Sequence, residues 1–255
     1  ESGDLQLDEP ISKYYIDPDI KNRPFLNKLT TRHILSQQSG FPNWRYLTKS
    51  NKLTFEFEPG TKFQYSGEGF EYLRKSIENK LQKPFEKIAS EVLFAPVGMN
   101  NTHFYWTPKI NENDYAIEHD ENGEPIVFEK WYDDNAAANL MTTANDYSKF
   151  LIHIMNGADL SDTLYAEFLK SQTTEKKGID RNLGMQLLPN LTNNEYALMH
   201  TGGDYGTKAI AIALPNTKRG LVLFSNSENG MVLWQKIISE YFGEIGKEII
   251  RRNLE

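Results

Sequence analysis

The sequence predicts an α/β (α+β) fold, an antiparallel sheet flanked by helices and joined to a mostly helical lobe. Three observations predict it. Up to about residue 182 the apolar residues recur at three- and four-residue spacing. Beyond it they fall into short runs bounded by turn residues. Two of those runs, "AIAIAL" at 209–214 and "LVLF" at 221–224, are almost wholly apolar, as in strands buried on both faces. The expected division is therefore 1–182 for the helical lobe and 183–255 for the strands and a closing helix.

Residues 1–30 are polar and irregular. "TTRHILSQQSG" gives a short helix, with Thr30 or Thr31 near its start and Gly40 beyond its end. Phe70, Leu73, Ile77 and Leu81 form the stripe of an amphipathic helix. Pro84 opens another, with Phe85, Ile88, Ala89, Val92 and Leu93 expected on one face. Residues 100–135 are loop-like, rich in Asn, Asp and aromatics. Thr143 caps a helix whose stripe is Tyr147, Phe150, Leu151, Ile154 and Met155. "LGMQLLP", "EYALMH", "TKAIAIALP" and "RGLVLFSNS" then read as four strands. A last helix carries Trp234, Ile237, Ile238, Tyr241 and Phe242. It covers one face of the sheet, so the other face is expected to need cover from a segment outside these residues.

The 255 residues carry 28 Lys and Arg against 35 Asp and Glu, a net charge of -7, with the basic residues scattered. That is no surface for a nucleic-acid backbone. There is no cysteine, which excludes disulfides, thiolate catalysis and thiolate-bound metal. No apolar run approaches the ~20 residues of a membrane-spanning helix. His33, His103, His119 and His153 share no metal-ligand spacing, and "HDENGEP" around His119 reads as a solvated hairpin. "GEGFEY" lacks the βαβ setting of a dinucleotide site.

Two glycine-rich turns stand out. Tyr65-Ser66-Gly67-Glu68-Gly69 follows "FEPGTKFQ", and His200-Thr201-Gly202-Gly203 ends a strand. Glycine lets a ligand approach the backbone, whose N–H groups can hold an oxyanion. A tyrosine hydroxyl can act as a general base where cations favour its ionised form. Each turn also has a plain reading, Tyr65 as a packing or capping residue and "HTGG" as an ordinary turn.

Taken in series, these segments resemble the serine beta-lactamase-like hydrolases: class C beta-lactamases, D-Ala-D-Ala carboxypeptidases, D-amino-acid-specific peptidases and related esterases. "GDLQLDEPISKYY" is similar to the stretch after that family's catalytic helix, and "LTTRHILSQQSGFPNW" to its "LLTHTSGLP" turn. "FEPGTKFQYSGEGFEYLRKSIE" resembles the Y-x-N segment, and "LFAPVGMNNTHF" resembles "PLGM-x-x-T". "NLMTTANDYSKFLIHIMNG" resembles the "S-T-A-x-D" helix, and "HTGGDYGTKAIAIALPNTKRGLVLFSNSENG" the K-T-G motif with the family's terminal strands.

The resemblance implies a beta-lactamase/transpeptidase-like fold and acyl transfer through an acyl-enzyme, on an ester, a D-amino-acid peptide or an amide. It makes Tyr65, His200 and Gly203 the catalytic set, Tyr65 relaying the nucleophile's proton and the Gly203 N–H serving the oxyanion. Thr201, Gly202, Gly67 and Lys208 would bind substrate. No cofactor or metal is implied, the partner is a small molecule or peptide, and the setting is the bacterial periplasm or exterior. Gly67 stands where the family has asparagine and His200 where it has lysine, which disfavours efficient beta-lactam hydrolysis; Lys208 is a candidate replacement cation. No serine here has a lysine three residues on, and "TTEK" at 173–176 has the spacing only with threonine and out of order. The S-x-x-K nucleophile is therefore expected in an N-terminal segment before Glu1. The alternative is a non-catalytic relative that binds peptidoglycan or peptide.

Overall fold

A computed structural model describes residues 2–127 and 129–254 of the chain. Its centre is a six-stranded antiparallel sheet in which every strand pairs with its neighbours in sequence. The strands are β1 (Thr173–Lys176), β2 (Ile179–Arg181), β3 (Gln186–Leu191), β4 (Glu195–Asp204), β5 (Thr207–Leu214) and β6 (Arg219–Ser225). The four apolar runs supply β3 to β6. The two strands that periodicity misses, "TTEK" and "IDR", are short and polar and carry no apolar run to betray them. "TTEK" is the edge strand β1, not a nucleophile motif on a helix.

The expectation that one face of the sheet lacks cover is overturned. Helices α1 (Thr31–Leu35), α2 (Gly67–Leu81), α3 (Phe85–Ala89) and α4 (Ala95–Val97) precede α5 (Ala144–Met155), which lies on the sheet itself. Its Leu151, Ile154 and Met155 pack with Leu187, Leu198, Ala211 and Ala213. After α6 (Asp162–Leu169) and the sheet come α7 (Trp234–Phe242) and α8 (Glu244–Leu254). Trp234, Ile238, Phe242, Ile245 and Ile249 of these helices cover Leu188, Met199, Ile210 and Ile212 on the opposite face. The small alanines of "AIAIAL" face α5 and its isoleucines face α7 and α8, so the doubly apolar run follows from unequal covers.

The closing helix is two helices. Gly243 breaks it at φ 65 and ψ −131, and an added Cβ on Gly246 would overlap the Ile238 carbonyl, so α8 folds back tightly on α7. Tyr241 leaves the expected stripe: it is 48% exposed, its ring beneath the Arg219 guanidinium. A π-helical turn at Ser90–Phe94 also separates α3 from α4 and rotates the face. Val92, expected inside, is 70% exposed, and Phe94 is buried in its place.

The helical lobe has its own core of Ile11, Ile20, Leu29, Ile34, Phe41, Leu53 and Tyr72. The irregular N-terminal stretch contributes through short 3-10 turns at Ile11–Lys13, Pro18–Ile20 and Leu26–Lys28. Arg32 ties the N-terminal stretch to α6, pairing with Asp8 and with Glu167. Among the described residues no helix is long and apolar enough to cross a membrane, and no group of His, Asp and Glu is arranged to hold a metal.

Candidate active site

Helix α2 begins at the first glycine-rich turn, and its start is pinned from several sides. Ser66 is the N-cap, its hydroxyl accepting from the Gly69 N–H at 3.0 Å and donating to the Pro42 carbonyl at 2.7 Å. The Ser66 N–H donates to Gln37 Oε1, and the Gly67 N–H to Asn43 Oδ1. Buried Glu68 takes hydrogen bonds from the Arg45 N–H, Nε and Nη2 at 2.9, 3.0 and 2.9 Å, which also suits a carboxylate in the first turn of a helix. The same guanidinium reaches Asp17 Oδ2 at 2.9 Å. Burial alone would raise the Asp17 carboxyl, but the hydrogen bonds from Arg45 and the Asp19 N–H hold it below the usual range.

The glycines of this turn have a physical cause. Each costs about 1 kcal/mol against alanine inside a helix. A Cβ on Gly67 would sit 2.5 Å from Trp44 Cζ2 and 2.7 Å from Cη2. A Cβ on Gly69 would come within 3.3 Å of Ser39 Oγ. The 37–45 segment approaches the helix start too closely for side chains, and at Gly67 the indole of Trp44 occupies the space.

Tyr65, just before the cap, is 43% exposed. Its ring lies under the guanidinium of Arg181, whose Cζ is 6.0 Å from the Tyr65 centroid and 5.5 Å from that of Phe63. Arg181, at the end of β2, is 7% exposed, and its Nε is 2.7 Å from Glu175 Oε2 on β1. Gln186 donates to both oxygens of that carboxylate, so the cation is held by three strands of the sheet.

The second motif is strand, not turn. β4 runs through Asp204, with Thr201 opposite Ile210, Gly202 opposite Ala209 and Gly203 opposite Lys208; the reversal comes at Tyr205 and Gly206. Successive residues of a strand face opposite sides. His200 pairs with Ala211 and lies partly buried. Burial and the charge of Arg181 push its imidazole below the ordinary histidine value, so it is neutral at pH 7. Thr201 belongs to the face of Ile210. With Gly202, Gly203 and Lys208 it lines a cavity of about 980 Å³, walled on its far side by Trp234, Ile238 and Ile250 of α7 and α8. Tyr65, Gly67 and His200 are not part of that lining. Lys208 donates to Glu228 Oε2 at 2.6 Å and to the Asp204 carbonyl at 2.8 Å.

The structure thus seats Tyr65 beneath Arg181 of β2, and places His200, Thr201, Gly202 and Gly203 on β4 with Lys208 opposite on β5. The sequence reading misses Arg181 and Trp44. Arg181 sits on a strand too short and polar to be detected. Trp44 left one trace, a glycine where the motif calls for a side chain.

Three of the other histidines have structural surroundings. His119 opens the hairpin closed by its bridge to Pro125, and His103 Nδ1 is 3.0 Å from Glu86 Oε1. His33 packs against Gly60, and its burial lowers its pKa.

The profile of the beta-lactamase family matches residues 1–237, and the chain belongs to that family, one of hydrolases. "Beta-lactamase-like protein 4" of Dictyostelium discoideum is 27% identical over 240 residues, covering 78% of this chain and 41% of that protein. The octameric penicillin-binding protein homologue of Pyrococcus abyssi superposes with a TM-score of 0.79 at 21% identity, over 97% of this chain and 62% of that one. A D-stereospecific amidohydrolase from Streptomyces gives 0.74 at 19% identity, over 94% and 80%. At such identities the two structures establish the beta-lactamase/transpeptidase-like α/β fold. The chain spans less than two thirds of the length of the Dictyostelium and Pyrococcus proteins.

Proposed function

We propose that the complete protein is a serine hydrolase that works by acyl transfer on an ester, a D-amino-acid peptide or an amide. The observation that carries this reading is the seating of Tyr65 beneath the Arg181 guanidinium, so that the tyrosine turn meets the same sheet that carries His200 on β4. Tyr65 takes the proton of a serine as that serine attacks the substrate carbonyl, and returns it to the leaving group. The acyl-enzyme then yields to water. The Gly203 N–H contributes to the oxyanion site. Neutral His200 supplies a hydrogen bond rather than a charge. Arg181 is a permanent cation over the Tyr65 ring, while Lys208 is engaged by Glu228.

A charge-assisted hydrogen bond to a substrate carboxylate contributes about 1.5–3 kcal/mol. With His200 in the lysine position, small activated esters are favoured over beta-lactams bearing a free carboxylate. The test is steady-state hydrolysis of p-nitrophenyl acetate and nitrocefin by the complete protein, with fluorophosphonate labelling read by intact mass. Labelling with faster ester turnover is expected; absence of both labelling and turnover refutes the enzyme. The filled Gly67 position favours one second reading, a peptide-binding relative without turnover. Binding of a D-Ala-D-Ala peptide without labelling would select it.

A further inference from the structure

The indole of Trp44 stands where a side chain at position 67 would project, and the residues on both sides of it are anchored to the start of α2. Asn43 accepts from the Gly67 N–H at 3.0 Å, and its carbonyl from the Glu68 N–H at 2.9 Å. Arg45 is fixed by Glu68 and Asp17. Trp44 is therefore held on its backbone from either side, next to the helix start that follows Tyr65. Its ring stacks on that of Tyr46, centroids 5.9 Å apart and planes 13° from parallel. Tyr46 is 65% exposed and its neighbour Leu47 is 67% exposed. A nearly parallel pair of half-buried Trp44 and exposed Tyr46, held beside the Tyr65 turn, offers a flat apolar wall at little cost in ordering.

We propose that Trp44, backed by Tyr46, is a specificity-determining wall for an aromatic group on the substrate, adjoining the carbonyl that reacts at Tyr65. The inference rests on the acyl-transfer reading for its place in a reaction. Gly67 is glycine to make room for the indole: the site exchanges a polar side chain that could hold an amide for a flat surface that selects by stacking. A hydrophobic subsite of this kind discriminates by roughly 10–200-fold for a small change in the group it receives.

Two measurements test it on the complete protein. The first compares kcat/KM for p-nitrophenyl phenylacetate and p-nitrophenyl acetate in the wild type, Trp44→Leu and Trp44→Ala. The ratio of phenylacetate to acetate is expected to fall about tenfold or more in both variants. A ratio that stays within about twofold in Trp44→Leu overturns the wall and leaves the acyl-transfer reading standing. If neither ester turns over and no fluorophosphonate adduct forms, the acyl-transfer reading fails. The wall is then judged by phenylacetamide: quenching of tryptophan fluorescence that is lost in Trp44→Leu supports it, and no Trp44-dependent quenching overturns it. The second measurement is a denaturation cycle on Gly67→Ala and Trp44→Ala. Gly67→Ala should destabilise, and less so in the Trp44→Ala background; strict additivity would overturn the claim that the indole fills this position.

Discussion

Arg181 and Tyr65 meet as guanidinium over ring, Cζ 6.0 Å from the centroid, with Arg181 anchored by Glu175 on the neighbouring strand. Removing the guanidinium deprives the site of its cation and strands the Glu175 carboxylate, which Gln186 then holds alone. Arg181→Ala is expected to lower kcat/KM of the complete protein by roughly tenfold or more, on the scale of one lost charge-assisted interaction. Arg181→Lys should recover only part, because an ammonium cannot span ring and carboxylate as a planar fork does. Ester hydrolysis in the two variants checks this; equal rates in wild type and Arg181→Ala count against a role for Arg181 in the site.

Tyr65→Phe removes one oxygen and keeps the ring beneath Arg181. Turnover should fall by about 10²-fold or more, the scale of a lost general base. The melting temperature should stay close to that of the wild type, since the exposed phenol is not part of the packed core. Parallel kinetics and thermal melts separate the two effects. An unchanged kcat removes Tyr65 from the mechanism.

Arg45 gathers Asp17 and Glu68, respectively 3% and 8% exposed at their side chains, into one cluster. Arg45→Ala leaves both carboxylates buried without their cation, a change of about 3–5 kcal/mol. It also loosens the loop that grips the Tyr65 turn. A chemical-denaturation midpoint within error of the wild type would show that the cluster is not what holds the turn.

Stability should depend on pH through two histidines. Burial lowers the folded-state pKa of His200, assisted by Arg181, and burial likewise lowers that of His33. Below the unfolded value of about 6.5 the unfolded chain takes up these protons first. The stability from keeping the rings neutral is full above that pH. It is lost as pH falls toward the depressed folded values, with a slope of at most about 1.4 kcal/mol per pH unit for each ring. Urea melts between pH 7.5 and 5 are expected to flatten in His200→Gln and His33→Gln. A slope indifferent to both substitutions refutes the assignment.

The longer amphipathic helices and the long strands were legible because burial on one side leaves a period in the sequence: the α5 stripe and the alternation in β5 are both in place, whereas α6 and the division of the last helix into α7 and α8 were not read. What escaped had no such period. β1 and β2 are polar and a few residues long, and their register depends on their pairing with each other and on that of β2 with β3 rather than on their own pattern. The π-turn at Ser90–Phe94 adds a residue to a turn and moves Val92 outward, which a fixed 3.6-residue repeat cannot anticipate. The error about the sheet's cover came from assigning α5 wholly to the helical lobe. At the site, Tyr65 and His200 could be picked from their glycine neighbours. Arg181 and Trp44 could not, because each acts through a partner distant in sequence.

The strand order is also the chain order, so each hairpin closes over a handful of residues and the entropy of loop closure is small throughout the sheet. The costly closure is elsewhere. Helix α5 ends at Met155, yet Met155 Cε lies 3.6 Å from the position a Cβ would take on Gly220 of β6. Between those two residues lies the whole of α6 and most of the sheet. The meander can form from its own turns, while the docking of α5 awaits its last strand, and this sets the order in which the two faces close. In native-state hydrogen exchange, amides of β4 and β5 should remain protected under conditions where those of α5 already exchange.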